Sequence, residues 1–264
     1  MATGGVTGPV VVLAGPGDQT GIIANYLSGL FPDVVVVMEQ AVPRVTLARR
    51  RARRLGWPTV VGQVAFVILA LPLLRRAGRA RIDAILRGSG LDTTAVADLR
   101  PVGSVNDPAT AELLRELRPA VVVVSGTRII ADAILTAVPA PFINVHAGIT
   151  PRYRGVHGGY WALAEGRPEL AGTTVHLVDA GIDTGGALGR VYFSPDRTDS
   201  IATYPYRHLA DGLPLLAEQV ERVLSGQALH VDTSGHDTDD AESVLHWHPT
   251  LWGYVWTRLT KRVR

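Results

Sequence analysis

Three valine-rich runs, at residues 10–14, 34–38 and 120–124, leave this chain few ways to fold, because they are apolar at nearly every position. A strand with one wet face alternates polar and apolar residues, whereas a strand covered on both faces by helices does not. Helical patterns separate the runs: Ile22, Ile23, Tyr26, Leu27 and Leu30 follow the first, and residues 108–117 precede the third. That order predicts an α/β fold with a doubly wound, mostly parallel sheet. Residues 142–145 add another strand, 173–178 and 187–193 read as an antiparallel pair, and 201–225 read as a long amphipathic closing helix.

With 264 residues, 47% hydrophobic and 19% charged, the chain can bury a sizeable core, which excludes a disordered tail or a fibrous repeat. It has no Cys, so a disulfide scaffold, a thiolate nucleophile and Cys-based metal sites are excluded. A cytoplasmic address is expected, since Met1–Gly5 run into an apolar strand without a basic region. The expected organisation is one unit over 1–228, with a basic apolar helical insert at 44–96, and an aromatic and basic tail over 229–264. Gly15-Pro16-Gly17 lacks the third glycine of a dinucleotide fingerprint and reads as a tight strand-to-helix turn. His230, His236, His246 and His248 are scattered in the tail and Asp237–Glu242 reads as a solvated linker, so no metal is expected.

The chemistry-bearing stretch is 142–155, which sets Asn144 and His146 two residues apart at the carboxyl end of an apolar strand, on one strand face. Later, Asp179-Ala180-Gly181-Ile182-Asp183-Thr184-Gly185-Gly186 forms a glycine-rich loop carrying two carboxylates. Asn, His and Asp around one cleft suit acyl transfer without a covalent enzyme intermediate. The Asn144 amide can stabilise an oxyanion, His146 can exchange a proton, and Asp183 can orient the imidazole. The same residues also suit structural duties: a loop cap, a buried histidine and a turn residue.

Taken together, Asn144-x-His146, the Pro151–Gly155 turn, the Gly172-Thr-Thr-Val-His176 strand and the Ile182-Asp183-Thr-Gly185 loop resemble the folate-dependent formyltransferases. That family groups glycinamide ribonucleotide transformylase, methionyl-tRNA formyltransferase and the sugar formyltransferases. The resemblance covers roughly residues 9–40 and 98–226 and implies a Rossmann-like fold. It implies Asn144, His146 and Asp183 as the catalytic trio, with His176 behind them. It further implies N10-formyltetrahydrofolate as formyl donor, with Arg128, Ile129, Ile130, Asp179, Ala180, Gly181 and Ile182 lining its cleft. The first loop, Ala14–Thr20, departs from the ribonucleotide branch, since Asp18 repels an anion and Pro16 lacks an N–H. After the closing helix about 38 residues remain, fewer than the barrel that the resemblance gives the tRNA branch. The expected acceptor is therefore a small-molecule amine, an amino sugar or a lipid-linked envelope precursor, and no specific nucleic acid. Two alternatives stay open: hydrolysis of the donor, and a non-catalytic membrane-associated scaffold.

Charge is unevenly placed. Residues 44–82 hold ten Arg and no acidic residue, and 57–74 are 18 consecutive residues without a formal charge. Pro58, Gly62, Gln63 and Pro72 argue against a membrane span, as does the need to keep both halves of one sheet on the same side. Segments 44–81 and 247–264, which hold four of the five Trp, suit packing on the core, a homodimer contact, or peripheral contact with the inner face of the cell membrane.

Overall fold

In a computed structural model, residues 6–94, 96, 99–232 and 242–264 are described. Strand β1 (Val10–Ala14) lies between parallel β2 (Val34–Glu39) and parallel β4 (Val121–Ser125), so the valine runs occupy the middle of the sheet. With β3 (Leu99–Val102), β5 (Phe142–His146), β7 (Gly172–Leu177) and β8 (Ala187–Tyr192), the order is β3-β2-β1-β4-β5-β7-β8. The first five strands are parallel; β7 and β8 are antiparallel additions.

Alternation along β1 explains the absence of a polar face. Val10, Val12 and Ala14 join a core with helices α1 (Asp18–Ser28) and α9 (Tyr204–Leu224), through Ile22, Ile23, Leu27, Leu213 and Leu216. Val11 and Leu13 enter the opposite core under α6 (Pro108–Leu117) and α7 (Asp132–Leu135). Both faces are dry, and the sheet is doubly wound.

The insert is the crossover from β2 to its parallel neighbour β3. It comprises α2 (Arg44–Leu55), α3 (Trp57–Ala65), a π-helical turn (Phe66–Ala70), α4 (Leu71–Ala77) and α5 (Arg79–Gly88). The continuous helical run Trp57–Ala77 is long and apolar enough to cross a membrane by length and composition. It does not span one here: its two ends return to adjacent strands of one sheet, and Phe66 and Leu71 are buried against Tyr160, Tyr204 and Tyr254.

The C-terminal segment contributes β9 (Val244–His246), which pairs in parallel with β6 (Tyr153–Gly155), and α10 (Leu251–Lys261). Thr250 caps α10, its hydroxyl accepting from Gly253 N at 3.0 Å. Trp252 lies across Gly62 of α3, where a Cβ would stand 2.4 Å from Trp252 Cη2. The guanidinium groups of Arg51 and Arg54 sit 5.6 and 5.7 Å from the Trp247 ring and tie α2 to the tail.

Three strands escape a sequence reading. β3 is an edge strand with an arginine and a proline, β6 is three residues in an Arg- and Gly-containing turn, and β9 is three residues in the tail, so none carries a long apolar run. His236 and most of the 237–242 stretch lie outside the described residues.

Candidate active site

Strand β5 ends at His146, at the carboxyl edge of the parallel strands, where open α/β sheets place ligands. The register sets Asn144 opposite His176 and His146 opposite Thr174 on β7. Cross-strand pairing therefore brings His176 directly onto the face that carries Asn144 and His146. Thr174 fixes the turn beyond β5: its hydroxyl donates to Gly148 O at 2.8 Å and accepts from Thr150 N at 3.1 Å.

Asp183 reaches this face from the loop joining β7 to β8. Asp179 Oδ1 accepts from Gly181 N (3.0 Å) and Thr184 Oγ1 (2.7 Å), which folds the loop into an Asx turn. Gly185 lets the loop close, since a Cβ there would stand 1.8 Å from Leu177 O. Asp183 itself adopts φ 51°, a left-handed conformation that Asp tolerates better than a bulky residue does. Two contacts from β6 hold it: Gly155 N donates to Asp183 Oδ2 at 2.9 Å, and Arg154 Nη1 donates to Ile182 O at 3.0 Å.

The resulting carboxylate sits between three groups. Asp183 Oδ2 is 3.4 Å from His146 Nδ1, and Oδ1 is 3.5 Å from Asn144 Nδ2 and 3.7 Å from His176 Nε2. Hydrogen-bond partners assign the tautomers. His176 Nδ1 is 2.7 Å from Leu177 O, a pure acceptor, so Nδ1 carries the hydrogen and Nε2 accepts from Asn144 Nδ2 at 3.2 Å. His146 Nε2 likewise donates to Tyr153 O at 2.7 Å, which leaves its Nδ1 lone pair facing Asp183. A proton arriving at Nδ1 would convert that facing pair into an ion pair.

Burial opposes the charge on Asp183, but the adjoining His176 and His146 side chains and the Gly155 N–H outweigh it and hold the carboxyl at about 2. Burial lowers the pKa of His146, with the nearby Asp183 pulling it back up. At neutral pH the pair is a carboxylate beside a neutral imidazole.

The other expected positions divide. Ile129 is exposed and Ile130 is buried, while the N–H and C=O of Ile130 take no hydrogen bond among the described residues. Asn106 brackets that loop, donating to Ile129 O (2.9 Å) and accepting from Ala131 N (2.8 Å). Ala180 and Gly181 are exposed at the loop tip. The Arg128 side chain is not free: it pairs with buried Glu39, whose Oε1 also accepts from Arg128 N at 2.8 Å, and its Nη2 donates to Gln40 O at 3.0 Å. Glu39 Oε2 further accepts from Val105 N. Arg128 therefore anchors its loop to the end of β2.

Glu39, Asn106, Arg154 and Thr174 escape a sequence reading of the site. Only Glu39 leaves a signal, as an acidic residue closing an otherwise apolar strand. Two of the tail histidines are occupied: His246 stacks between Tyr153 and Trp161, and His248 Nδ1 lies 2.9 Å from His157 Nε2. Among the described residues no group of three or more His, Asp or Glu could hold a metal.

A doubly wound sheet with Asn, His and Asp converging at the end of a central strand belongs to the class of α/β group-transfer domains. Residues 73–218, more than half of the chain and the whole of the trio, match the formyl transferase family, and the chain belongs to that family. Methionyl-tRNA formyltransferase of Anaeromyxobacter dehalogenans is 35% identical over 188 residues, covering 65% of this chain and 60% of that protein. The chain thus spans about 60% of the length of such curated relatives. Phosphoribosylglycinamide formyltransferase of Streptococcus pneumoniae superposes with a TM-score of 0.52 at 19% identity, over 81% of this chain and 98% of that one. A sugar 3-N-formyltransferase solved in the presence of dTDP and 5-N-formyl-THF gives 0.52 at 13% identity, over 91% and 70%. These structures share the fold.

Proposed function

We propose that the chain is an N-formyltransferase that moves a formyl group from N10-formyltetrahydrofolate to the amine of a small acceptor, an amino sugar or a lipid-linked amine. The observation that carries this reading is the meeting of Asn144 Nδ2, His146 Nδ1 and His176 Nε2 around Asp183, with 3.4 to 3.7 Å between the carboxylate oxygens and their neighbours.

The donor, when bound, supplies an activated formyl carbon. The loop positions implied for it suit a pteridine edge, because the Ile130 N–H and C=O are free to pair and the Asp179–Ile182 turn presents exposed backbone. A sugar 3-N-formyltransferase of the same fold was solved with a formyl-folate, which supports this choice.

Asn144 has two amide hydrogens: one is committed to His176 at 3.2 Å, and the other makes only a 3.5 Å contact with Asp183. The second is the one available to the formyl oxygen as negative charge develops there. His146 Nδ1 takes the proton that the attacking amine loses and gives it to N10 as the formyl C–N10 bond breaks and tetrahydrofolate leaves, while Asp183 stabilises the imidazolium between the two transfers. No Ser or Cys nucleophile is required.

The test is release of tetrahydrofolate by the purified chain, with no acceptor and with pools of amino sugars, amines and lipid extracts. Acceptor-dependent release that disappears in His146→Ala is expected. Equal release without acceptor would make the chain a hydrolase, and release that survives His146→Ala would overturn the assignment.

A further inference from the structure

The helical run Trp57–Ala77 is buried along one side only. Phe66 and Leu71 face the domain, whereas Val61, Val64, Ile68 and Leu73 point to solvent, Leu73 being 69% exposed. Only 28% of its most apolar stretch is buried. Helix α10 extends the same surface, for Trp252 rests on Gly62 of α3 while Trp256 and Leu259 are 68% and 74% exposed. Two touching helices thus turn aromatic and aliphatic side chains outward together, unlike the isolated exposed residues of an ordinary surface.

Cations frame this apolar surface. Arg49, Arg50, Arg53 and Arg54 lie on α2 before it, and Arg258, Lys261 and Arg262 lie at the end of α10. At the far end of the run, Arg75, Arg76 and Arg79 line a cleft of about 410 Å³ together with Asp18, Asp83 and Tyr206. Asp18 is taken by the Tyr206 hydroxyl at 2.8 Å, and these three guanidinium groups have no ion pair or hydrogen bond among the described residues.

The charge decides between occupants. A second copy packed on this face through a two-fold axis would bring one arginine set against another, since residues 44–82 contain no acidic residue. A lipid surface with anionic head groups satisfies both features at once: the apolar side chains enter the acyl boundary and the arginines stay among the phosphates.

We propose that the face formed by α3, α4 and α10 docks the chain on an anionic bilayer, with the helices lying in the plane of the interface. The inference stands independently of formyl transfer.

The full chain would be sedimented with vesicles of pure phosphatidylcholine and of phosphatidylcholine with phosphatidylglycerol, at low and high salt, beside a light-scattering measurement of its mass. Binding to the anionic vesicles about tenfold or more tighter than to the neutral ones, and weakened by salt, is expected. Leu73→Glu, Trp256→Glu and the pair Arg76→Glu, Arg79→Glu should each reduce it about tenfold or more. All four positions are exposed, so the variants should keep the unfolding midpoint of the parent. Leu73 and Arg76 lie on α4, Arg79 on α5 and Trp256 on α10, so misfolding of the α4 variants leaves Trp256→Glu to decide, and the reverse. Absence of binding to the anionic vesicles, or equal binding to both kinds, would overturn the proposal. A dimer that Leu73→Glu makes monomeric, without vesicle binding, would assign the face to a second copy instead.

Discussion

Acidification should destabilise this protein through three histidines that are buried uncharged. Burial pushes His157 and His208 from the ordinary 6.5 down to about 3, and His248 down to about 4. Each folded value lies below the unfolded one, so the stability these groups contribute is complete above pH 6.5 and is lost as the pH falls toward 3 or 4. Between pH 8 and pH 5 each group loses about 2 kcal/mol, and the three together about 6 kcal/mol. That is comparable with the whole stability of an ordinary domain, about 5 to 15 kcal/mol. Asp183, held at about 2, adds nothing in this window because it stays ionised in both states. Urea unfolding followed by tryptophan fluorescence at pH 8 and pH 5 measures the difference. His157→Gln removes one titrating group from the 2.9 Å contact with His248 and should reduce the acid loss by about 2 kcal/mol. A parent protein that loses less than about 1 kcal/mol between these pH values would refute the reasoning, since even one such histidine should cost more.

Further outcomes follow from the site and its supports. Asn144→Ala should lower kcat for formyl transfer by about 10² to 10³, as expected for loss of one oxyanion donor, and steady-state kinetics with little change in KM would check it. Asp183→Asn removes the charge that stabilises protonated His146 and should lower kcat by about 10² or more, with the loss persisting across the accessible pH range. Glu39→Gln removes the buried charge that meets half-buried Arg128 and should cost about 1 to 3 kcal/mol in urea unfolding. Gly62→Val puts a branched side chain where Trp252 and Thr250 lie, and should free α10 to early proteolysis at a cost of about 1 to 3 kcal/mol.

Much of the fold could be read locally. The valine runs exclude a wet sheet face wherever they occur, and the spacing of Leu209, Leu213, Leu216 and Val220 marks a helix with one buried stripe. The Asn144-x-His146 spacing sets both side chains on one strand face by backbone geometry alone. These are properties of neighbouring residues, so the amino-acid sequence by itself determined them.

What only the tertiary structure decided depends on residues distant in the chain. His176 meets Asn144 because β7 pairs with β5 in one register, and a shift of one residue would turn it to the other face. Arg128 is committed to Glu39 because β2 and β4 flank β1 in the sheet, a fact absent from either segment. Asp183 depends on the same kind of contact: Gly155 of β6 holds its carboxylate, and β6 is itself paired with β9 from the C-terminal segment. The tail therefore supports the site through backbone hydrogen bonds. Such bonds are formed by any residue with an N–H and a C=O, so side-chain identity gives no sign of them until the chain has folded.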